Sequence, residues 1–209
     1  DGVASFSYQW TRNGVDIAGA TGSTYLLGDA DVQTQIRVRV SYVDGWSTTE
    51  TLTSAPTAAV VNVNDVPTGT PVITGMSQED QTLSADTSGI GDIDGLGAFS
   101  YQWTRSGVDI AGATASTYLL VDADVQTQIR VRVSYVDGRG TTETLTSAPT
   151  APVVNVNDVP TGAPVILGTV QEDQTLTADT SGIADIEGVG AYSYQWTRNG
   201  VDIAGATAA

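Results

Sequence analysis

The chain contains no histidine, no cysteine and no lysine. Its eight basic residues are therefore all arginines, and 24 acidic residues bring the formal net charge of the 209 residues to −16. Without cysteine there is neither a disulfide framework nor a thiolate metal site. Without histidine, zinc and most transition metals lose their usual ligands. Most general bases and nucleophiles are also missing, so we predict that the chain is not an enzyme.

The negative charge and the lack of a long apolar run limit the possible partners. An acidic chain repels nucleic acid and anionic lipid headgroups, whereas it attracts divalent cations. No apolar run approaches the length that a membrane-spanning helix needs, so we expect no membrane insertion. Hydrophobic residues make up 40% of the chain and charged residues 15%. This composition is typical of a globular protein rather than of a disordered one.

The sequence is built from a long internal repeat. The string SYQWTR occurs three times, with its tryptophan at positions 10, 103 and 196, which are 93 residues apart. Residues 1–65 align with residues 94–158 without a gap and differ from them at nine positions. A unit of this length matches one small domain rather than a solenoid repeat. We therefore predict a partial first repeat (1–65), a complete second repeat (66–158) and a partial third repeat (159–209).

Within the repeat, apolar side chains alternate with polar ones. In QIRVRVSYV, the residues Ile129, Val131, Val133 and Tyr135 fall on one face, as in a half-buried strand of an antiparallel sheet. Other short segments behave alike and are separated by turns rich in Gly and Asp. Seven such strands, with a Trp on the third, favour an all-β, immunoglobulin-like sandwich. The predicted strands are A (70–75), B (81–87), C (99–105), C′ (108–111), E (117–121), F (128–136) and G (141–154).

The run YQWTRNGVDIAGATGSTYLLGDADV, followed by IRVRVSYVDG, resembles the Ig-like repeats of very large secreted bacterial proteins, including RTX-type adhesins. The resemblance covers the whole chain. It implies tandem immunoglobulin-like β-sandwiches in a bead-on-string array, with Trp10, Trp103 and Trp196 in the cores. It also implies an extracellular, cell-surface location, and a structural extender or spacer function in cell adhesion, biofilm formation or a surface filament. Neighbouring repeats of the same chain are then the main partners.

The string VNVNDVPTG, at 61–69 and again at 154–162, is the predicted linker between repeats. In a sandwich of this kind, the A–B and E–F loops of one repeat meet the linker and the B–C and F–G loops of the next. All of these segments carry acids or asparagines, and clustered like charges are costly unless a cation neutralises them. Calcium takes about six to eight oxygen ligands, so we predict calcium at each junction. The predicted ligands are Asp29, Asp31, Asn62, Asn64, Asp65, Glu79, Asp80, Asp92, Asp94, Asp122, Asp124, Asp137, Asn155, Asn157, Asp158, Glu172, Asp173, Asp185 and Glu187.

The predicted junction resembles those of cadherins, which combine a Glu near the A–B turn, acids before strand F, an Asn/Asp linker and an Asp-x-Asp in the next domain. It departs from them where the linker ends in Val66-Pro67 and where the E–F acids read Asp-Ala-Asp. A simpler explanation is that Asn, Asp and Gly are ordinary turn formers and that acidic surfaces favour solubility.

Two further alternatives remain open at this point. A carbohydrate- or protein-binding module at the cell surface would use an exposed aromatic residue, and Trp46 in the F–G loop is the candidate. The second alternative concerns the ends of the chain. We expect the 209 residues to be a window on a longer array. If they were the whole polypeptide, the tail 159–209 could pair with strands E, F and G of another molecule in a head-to-tail filament.

Overall fold

The structure, a computed structural model, describes residues 5–209 and is all-β. No α-helix occurs in these residues, and none of their segments forms a helix that could span a lipid bilayer. Two single 3-10 turns, Asp29–Asp31 and Asp122–Asp124, stand at equivalent positions of the first and second repeats. The sheets are antiparallel and consistent with a β-sandwich, as the alternating pattern predicts.

The first repeat forms one four-stranded sheet. In chain order its strands are β1 (Phe6–Arg12), β2 (Val15–Asp16), β3 (Ile36–Val43) and β4 (Thr49–Thr53), arranged β2-β1-β3-β4. The register of β1 and β3 places Trp10 opposite Val38. This sheet corresponds to the predicted strands C′, C, F and G.

The second repeat forms two sheets. One is three-stranded, in the order β5-β6-β9, and corresponds to A, B and E; the other is four-stranded, in the order β11-β10-β7-β8. The strand bounds are β5 (Val72–Thr74), β6 (Thr82–Asp86), β7 (Ser100–Arg105), β8 (Val108–Asp109), β9 (Thr117–Leu119), β10 (Ile129–Val136) and β11 (Thr142–Thr146). The third repeat contributes two short hairpins, which are β12 (Val165–Leu167) with β13 (Thr177–Asp179) and β14 (Thr197–Arg198) with β15 (Val201–Asp202).

The predicted strands A to F of the second repeat are confirmed to within about two residues at each end, but the prediction for strand G is wrong in its length. Strand β11 ends at Thr146 instead of continuing to residue 154. Pro149 and Pro152 follow it, and a proline has no N–H to donate to a ladder. Beyond them the chain makes two isolated parallel bridges, Val125 to Val153 and Gln78 to Val154.

The contacts divide the chain into two compact units. The first comprises Asp1–Pro71, Thr87–Tyr101 and Arg132–Thr146, and the second comprises Val72–Asp86, Gln102–Val131 and Ser147–Ala209. Each unit contains one copy of VNVNDVPTG, so each linker lies inside a compact unit. The domain bounds at 65 and 158, which follow the sequence repeat, stay a prediction.

Each unit buries its own apolar side chains. In the second unit Trp103 of β7 and Leu83 of β6 are fully buried, so both sheets of the second repeat contribute to the core. The indole N–H of Trp103 donates to the carbonyl oxygen of Ala115 at 2.9 Å, and its ring stacks on Tyr118. Burial of Trp103 confirms its predicted place in the core, whereas Trp10 and Trp196, predicted to be equivalent core residues, are only half-buried. The other fully or almost fully buried apolar residues are Leu120, Ile129, Val131 and Val153 in the second unit, and Ile36, Ile90, Val133 and Tyr135 in the first.

Candidate functional site

Three carboxylates from three separate segments meet in the second unit. Glu79 lies in the turn before β6, Asp122 opens the 3-10 turn after β9, and Asp158 lies in the linker. One carboxylate oxygen of each residue lies within 4.8 Å of those of the other two. Among the described residues, no other group of three or more acids is close enough together to hold a metal ion. Sequence reasoning predicted all three as ligands.

Glu79 is placed by hydrogen bonds to the linker. It is 3% exposed, its main-chain N–H donates to the carbonyl oxygen of Val154 at 2.9 Å, and its Oε2 accepts the N–H of Val156 at 3.0 Å. Val154 in turn donates its N–H to the carbonyl oxygen of Ser77. The A–B turn and the linker are therefore held together before any ligand is considered.

The charges of the triad act on Asp122. Its hydrogen bond with Glu79, its partial burial and the nearby charges of Glu79 and Asp158 raise the pKa of Asp122 to about 6. A raised carboxyl pKa beside other carboxylates means that the site favours a proton over a further negative charge. A bound cation would relieve the same repulsion.

The two acids of the Asp-Ala-Asp motif have different partners. Asp124 is fully buried and its Oδ1 lies 2.6 Å from the Nε of Arg105. Its Oδ2 accepts hydrogen bonds from the Tyr118 hydroxyl and the Val121 N–H, both at 2.9 Å. The structure thus places Asp124 in an internal ion pair rather than with Glu79 and Asp122.

Asp31 repeats this arrangement in the first unit. It accepts from Arg12, Tyr25 and the N–H of Gly28. Burial works to raise the pKa of Asp31, but these hydrogen bonds and the charge of Arg12 outweigh it and hold that pKa below its usual value.

On its far side, the second linker is tied to the third repeat. Glu187 accepts from the main-chain N–H of Asp158 at 2.8 Å and from the side chain of Asn155 at 3.2 Å, and its own N–H donates to Asp185. The N–H of Asp158, the hydrogen bond with Asp185 and the Asn155 amide lower the pKa of Glu187 to about 2, while the bond with Glu187 raises the pKa of Asp185. Thr161 and Ala184 complete the attachment with two main-chain hydrogen bonds of 2.7 and 3.0 Å.

The first linker makes the same kind of attachment in the first unit. Asp94 accepts from the Asn62 side chain at 3.1 Å and from the N–H of Asp65 at 3.0 Å, and it is almost fully buried. Its own N–H donates to Asp92. Burial, followed by the charges of Asp29, Asp94 and Asp92, raises the pKa of Asp65. Asp29 is therefore near Asp65, as Asp122 is near Asp158 one repeat later.

The F–G turn of the second repeat places a further predicted ligand, Asp137, in the first unit. Asp137 is almost fully buried; its Oδ1 accepts from the N–H groups of Arg139 and Thr141, while its buried Oδ2 accepts no hydrogen bond from the described residues. Burial works to raise the Asp137 pKa, but main-chain donors from Thr141, Arg139 and Gly140 outweigh it and lower the pKa.

Sequence reasoning missed two polar residues of this region. The Tyr135 hydroxyl donates to Asp92 at 2.6 Å, and Glu143 accepts from Asn64 at 2.8 Å. Tyr135 faces Glu143 in the ladder of β10 and β11. Both residues lie beside the F–G turn, which was predicted to meet the linker. Their position along strands F and G was therefore the signal that could have identified them.

Among the remaining predicted ligands, the carboxylates of Asp80, Glu172 and Asp173 are not members of the triad. Asn157 donates to the carbonyl oxygen of its neighbour Asp158. Asp80 and Asp173 have left-handed backbones, with φ of 61° and 67°, which marks them as turn residues. The side chains that are exposed in these turns are Asp80, Glu172 and Asp173.

The last residue of VNVNDVPTG has a steric role. Gly162 has φ of +82°, and a Cβ at this position would overlap the carbonyl oxygen of Gly182. Gly69 has the same relationship to Gly89 in the first linker. The close approach of two main chains therefore fixes glycine at the end of each linker.

No protein-family model matches the chain, and no curated protein matches it.

Proposed function

We propose that the chain consists of tandem immunoglobulin-like spacer repeats of an extracellular bacterial adhesin or surface filament, and that calcium at the linkers stiffens the junctions between repeats. The observation that carries this proposal is the meeting of Glu79, Asp122 and Asp158. These residues come from the A–B turn, the E–F turn and the linker, so one ion bound to them would join three segments of the chain.

The chemistry of the donors suits calcium. All three side chains offer carboxylate oxygens, and the linker adds asparagine amides and main-chain carbonyls nearby. Calcium accepts such hard oxygen ligands in flexible geometry at about 2.3–2.6 Å, whereas softer metals prefer the histidine and cysteine that this sequence lacks. The raised pKa of Asp122 supports the same conclusion, because a cation would take the place of the proton that the site attracts.

The hydrogen bonds of the linker support a spacer. Val154 and Val156 bond to the A–B turn on one side, and Asp158 and Thr161 bond to the third repeat on the other. A linker fixed at both ends limits the bending of one repeat against the next. Near-identity of the repeats supports the same function, since a spacer gains length by repetition whereas a catalytic or receptor site needs to exist once.

The proposal is tested by melting the 209-residue chain in calcium and in EDTA. Binding to the folded state alone stabilises it by about 2.7 kcal/mol at a hundredfold excess over the dissociation constant. Asp122→Asn should remove most of the increase in melting temperature. Asp109→Asn is the matched control, because Asp109 lies in β8 and outside the triad. Equal melting temperatures of the parent in calcium and in EDTA would refute calcium binding.

Stiffness needs its own measurement. Small-angle scattering of the same chain gives its maximum dimension and the spread of its conformations. With calcium we expect a longer and narrower distribution of end-to-end distances than with EDTA. If calcium raises the melting temperature but leaves the distribution of end-to-end distances unchanged, the result supports an ion site and contradicts the stiffening function.

One observation favours the alternative of a binding module. Trp46 is 89% exposed in the loop between β3 and β4, where its main-chain N–H donates to Oδ1 of Asp44. An exposed indole is the kind of platform on which a sugar ring stacks. Tryptophan fluorescence of the parent and of Trp46→Ala, titrated with a mixture of soluble oligosaccharides, tests it. A saturable change in the parent that is lost in the variant would favour the binding module over the spacer.

A further inference from the structure

We propose that one face of the sheet β2-β1-β3-β4 carries a binding pocket for a carboxylate-bearing sugar, with Arg37 as the residue that binds the carboxylate. The pocket lies within the first repeat and includes no residue of the linkers, no member of the triad and not Trp46. The proposal goes beyond the spacer function and does not depend on calcium, so either can fail without the other.

The register of the sheet brings the pocket residues to one face. Thr11 of β1 lies directly opposite Arg37 of β3, and Arg39 lies opposite Thr53 of β4. Because successive side chains of a strand point to opposite faces, these residues lie on the face opposite to Trp10. An open pocket of about 380 Å³ forms there, within the range of about 300–1,000 Å³ that is usual for small-molecule sites. Its polar lining consists of Thr11, Asn13, Gln35, Arg37, Arg39 and Thr53.

Arg37 is a cation with no partner for its charge. Its guanidinium makes no ion pair or hydrogen bond with any residue in 5–209. Its equivalent in the second repeat, Arg130, donates to the carbonyl oxygen of Ser147 at 3.1 Å. The N–H groups of Arg37 are therefore available to a ligand, and a planar guanidinium binds a carboxylate through two parallel hydrogen bonds.

A buried hydroxyl lies beside this cation. Thr11 is 4% exposed, and its Oγ1 has no hydrogen-bond partner in the part of the chain that the structure describes. Buried polar groups almost always have a partner, so this hydroxyl lacks a group that bonds to it. Because Thr11 and Arg37 are directly opposed in the ladder, a ligand oxygen bound at Arg37 is close to the Thr11 hydroxyl.

The turn between β1 and β2 fixes the rim of the pocket. The main-chain N–H of Asn13 donates to the carbonyl oxygen of Gln35 at 2.9 Å, and Oδ1 of Asn13 accepts the main-chain N–H of Gln35 at 3.0 Å. The side-chain nitrogen of Asn13 has no acceptor within residues 5–209, so it remains a donor for a ligand hydroxyl. The second repeat has Ser106 at this position and therefore lacks this donor.

The charges of the pocket select the class of ligand. Two arginines and no acidic residue line it, although the whole chain carries a net charge of −16. Asp16 pairs with Arg39 at 2.7 Å, so one positive charge is left at Arg37, and this charge matches a single carboxylate. A polyanion such as nucleic acid would instead be repelled by the rest of the chain.

The remaining lining residues suit a sugar. Asn13, Gln35 and Thr53 offer amide and hydroxyl groups, which form hydrogen bonds with the hydroxyl groups of a sugar ring. A carboxylate held by Arg37 and a ring surrounded by these side chains describe an acidic monosaccharide unit, such as a uronic acid.

Titration of the 209-residue chain with sodium glucuronate tests the pocket. It is done in EDTA, so that a calcium ion shared by the protein and the sugar contributes nothing. Isothermal titration calorimetry should give one saturable site with a Kd on the order of 1 mM, as for a small polar ligand. Glucose lacks the carboxylate and acetate lacks the ring, so each should bind at least about tenfold more weakly.

Arg37→Gln and Arg130→Gln are matched variants, because each removes the equivalent arginine from one repeat. Arg37→Gln should weaken glucuronate binding at least about tenfold, since it removes a charge-assisted hydrogen bond, whereas Arg130→Gln should leave the affinity unchanged. Asn13→Ser introduces the residue of the second repeat and should weaken binding by about three- to tenfold. Circular dichroism melting curves check that each variant folds as the parent does.

Saturable glucuronate binding that is weakened by Arg37→Gln and kept in Arg130→Gln supports the pocket. Equal affinity for glucuronate and for glucose or acetate would overturn the assignment to an acidic sugar. The absence of binding at concentrations well above the millimolar range would overturn the proposal, as would equal affinities of the parent and Arg37→Gln.

Discussion

Val156 donates its main-chain N–H to Oε2 of Glu79 at 3.0 Å, so a residue of the linker is bonded to the turn that precedes β6. The buried Glu79 carboxylate uses this oxygen to orient the linker and lies beside Asp122 and Asp158. The position of the linker and the ionisation of Asp122 are therefore connected through the side chain of Glu79.

The first prediction concerns pH. The folded chain raises the pKa of Asp122 to about 6, so without calcium the protonated form is favoured by folding. Protonated Asp122 therefore contributes to the stability of the folded state. This contribution is fully present below the usual carboxyl pKa and is lost as the pH rises through about 6. Calcium competes with that proton. We expect the calcium-dependent rise in melting temperature to be large near pH 7.5 and small near about pH 5.

Asp122→Asn separates this group from the other acids that titrate nearby. In the variant, the difference between calcium and EDTA should be small at both pH values. A parent whose calcium effect is the same at both would contradict the role of Asp122.

The sequence predicted the strands well because each follows from local alternation. Ile129, Val131 and Val133 recur every second residue, and a strand with one buried face requires that spacing. Strand G was less predictable, because its C-terminal half is shaped by proline and by bridges to residues far away in sequence, such as Val153 to Val125. Such pairings leave no periodic signal.

The candidate site was predictable in its location but not in its members. Acidic loops flanking a polar linker indicated the region. No sequence pattern indicates that the two acids of Asp-Ala-Asp separate, with Asp122 at the triad and Asp124 facing Arg105. A 3-10 turn has three residues per turn, so side chains two residues apart point in different directions. This turn is fixed by tertiary contacts, including the bond from Val121 to Asp124.

The second prediction concerns the core. Trp103 is fully buried, so Trp103→Ala should lower the free energy of unfolding by about 3–5 kcal/mol. Trp46→Ala removes the same side chain from an exposed position, so the free energy of unfolding should change by less than about 0.5 kcal/mol. Urea denaturation followed by circular dichroism measures both. Similar midpoints for the parent and Trp103→Ala would place this tryptophan on the surface.

The third prediction compares two ion pairs. Arg105→Ala leaves the fully buried Asp124 without its cation, and we expect a loss of about 3 kcal/mol, since Tyr118 and the Val121 N–H remain as donors. Arg39→Ala breaks a pair with the exposed Asp16, for which about 0–1 kcal/mol is typical. Urea midpoints in low salt and in high salt distinguish the two, because salt screens the exposed pair more strongly. Equal losses would mean that the Asp124 pair contributes no more than a surface pair.

The last prediction concerns the glycine that ends the second linker. Gly162→Ala places a side chain at φ of +82° and against the carbonyl oxygen of Gly182, so the two main chains must separate. We expect a loss of about 1–3 kcal/mol, as for other backbone strain. The paired main-chain bonds of Thr161 and Ala184 lie beside this contact, so the calcium-dependent rise in melting temperature should fall as well.

Gly182→Ala is the matched control for this variant. A Cβ on Gly182 would meet no atom within 4 Å, so the substitution should change stability by less than about 0.5 kcal/mol. Melting curves of the parent, Gly162→Ala and Gly182→Ala are recorded in calcium and in EDTA. They separate the effect of this close approach on stability from its effect on the calcium response. A destabilised Gly162→Ala with the full calcium response would mean that this end of the linker supports folding but not the geometry of the triad.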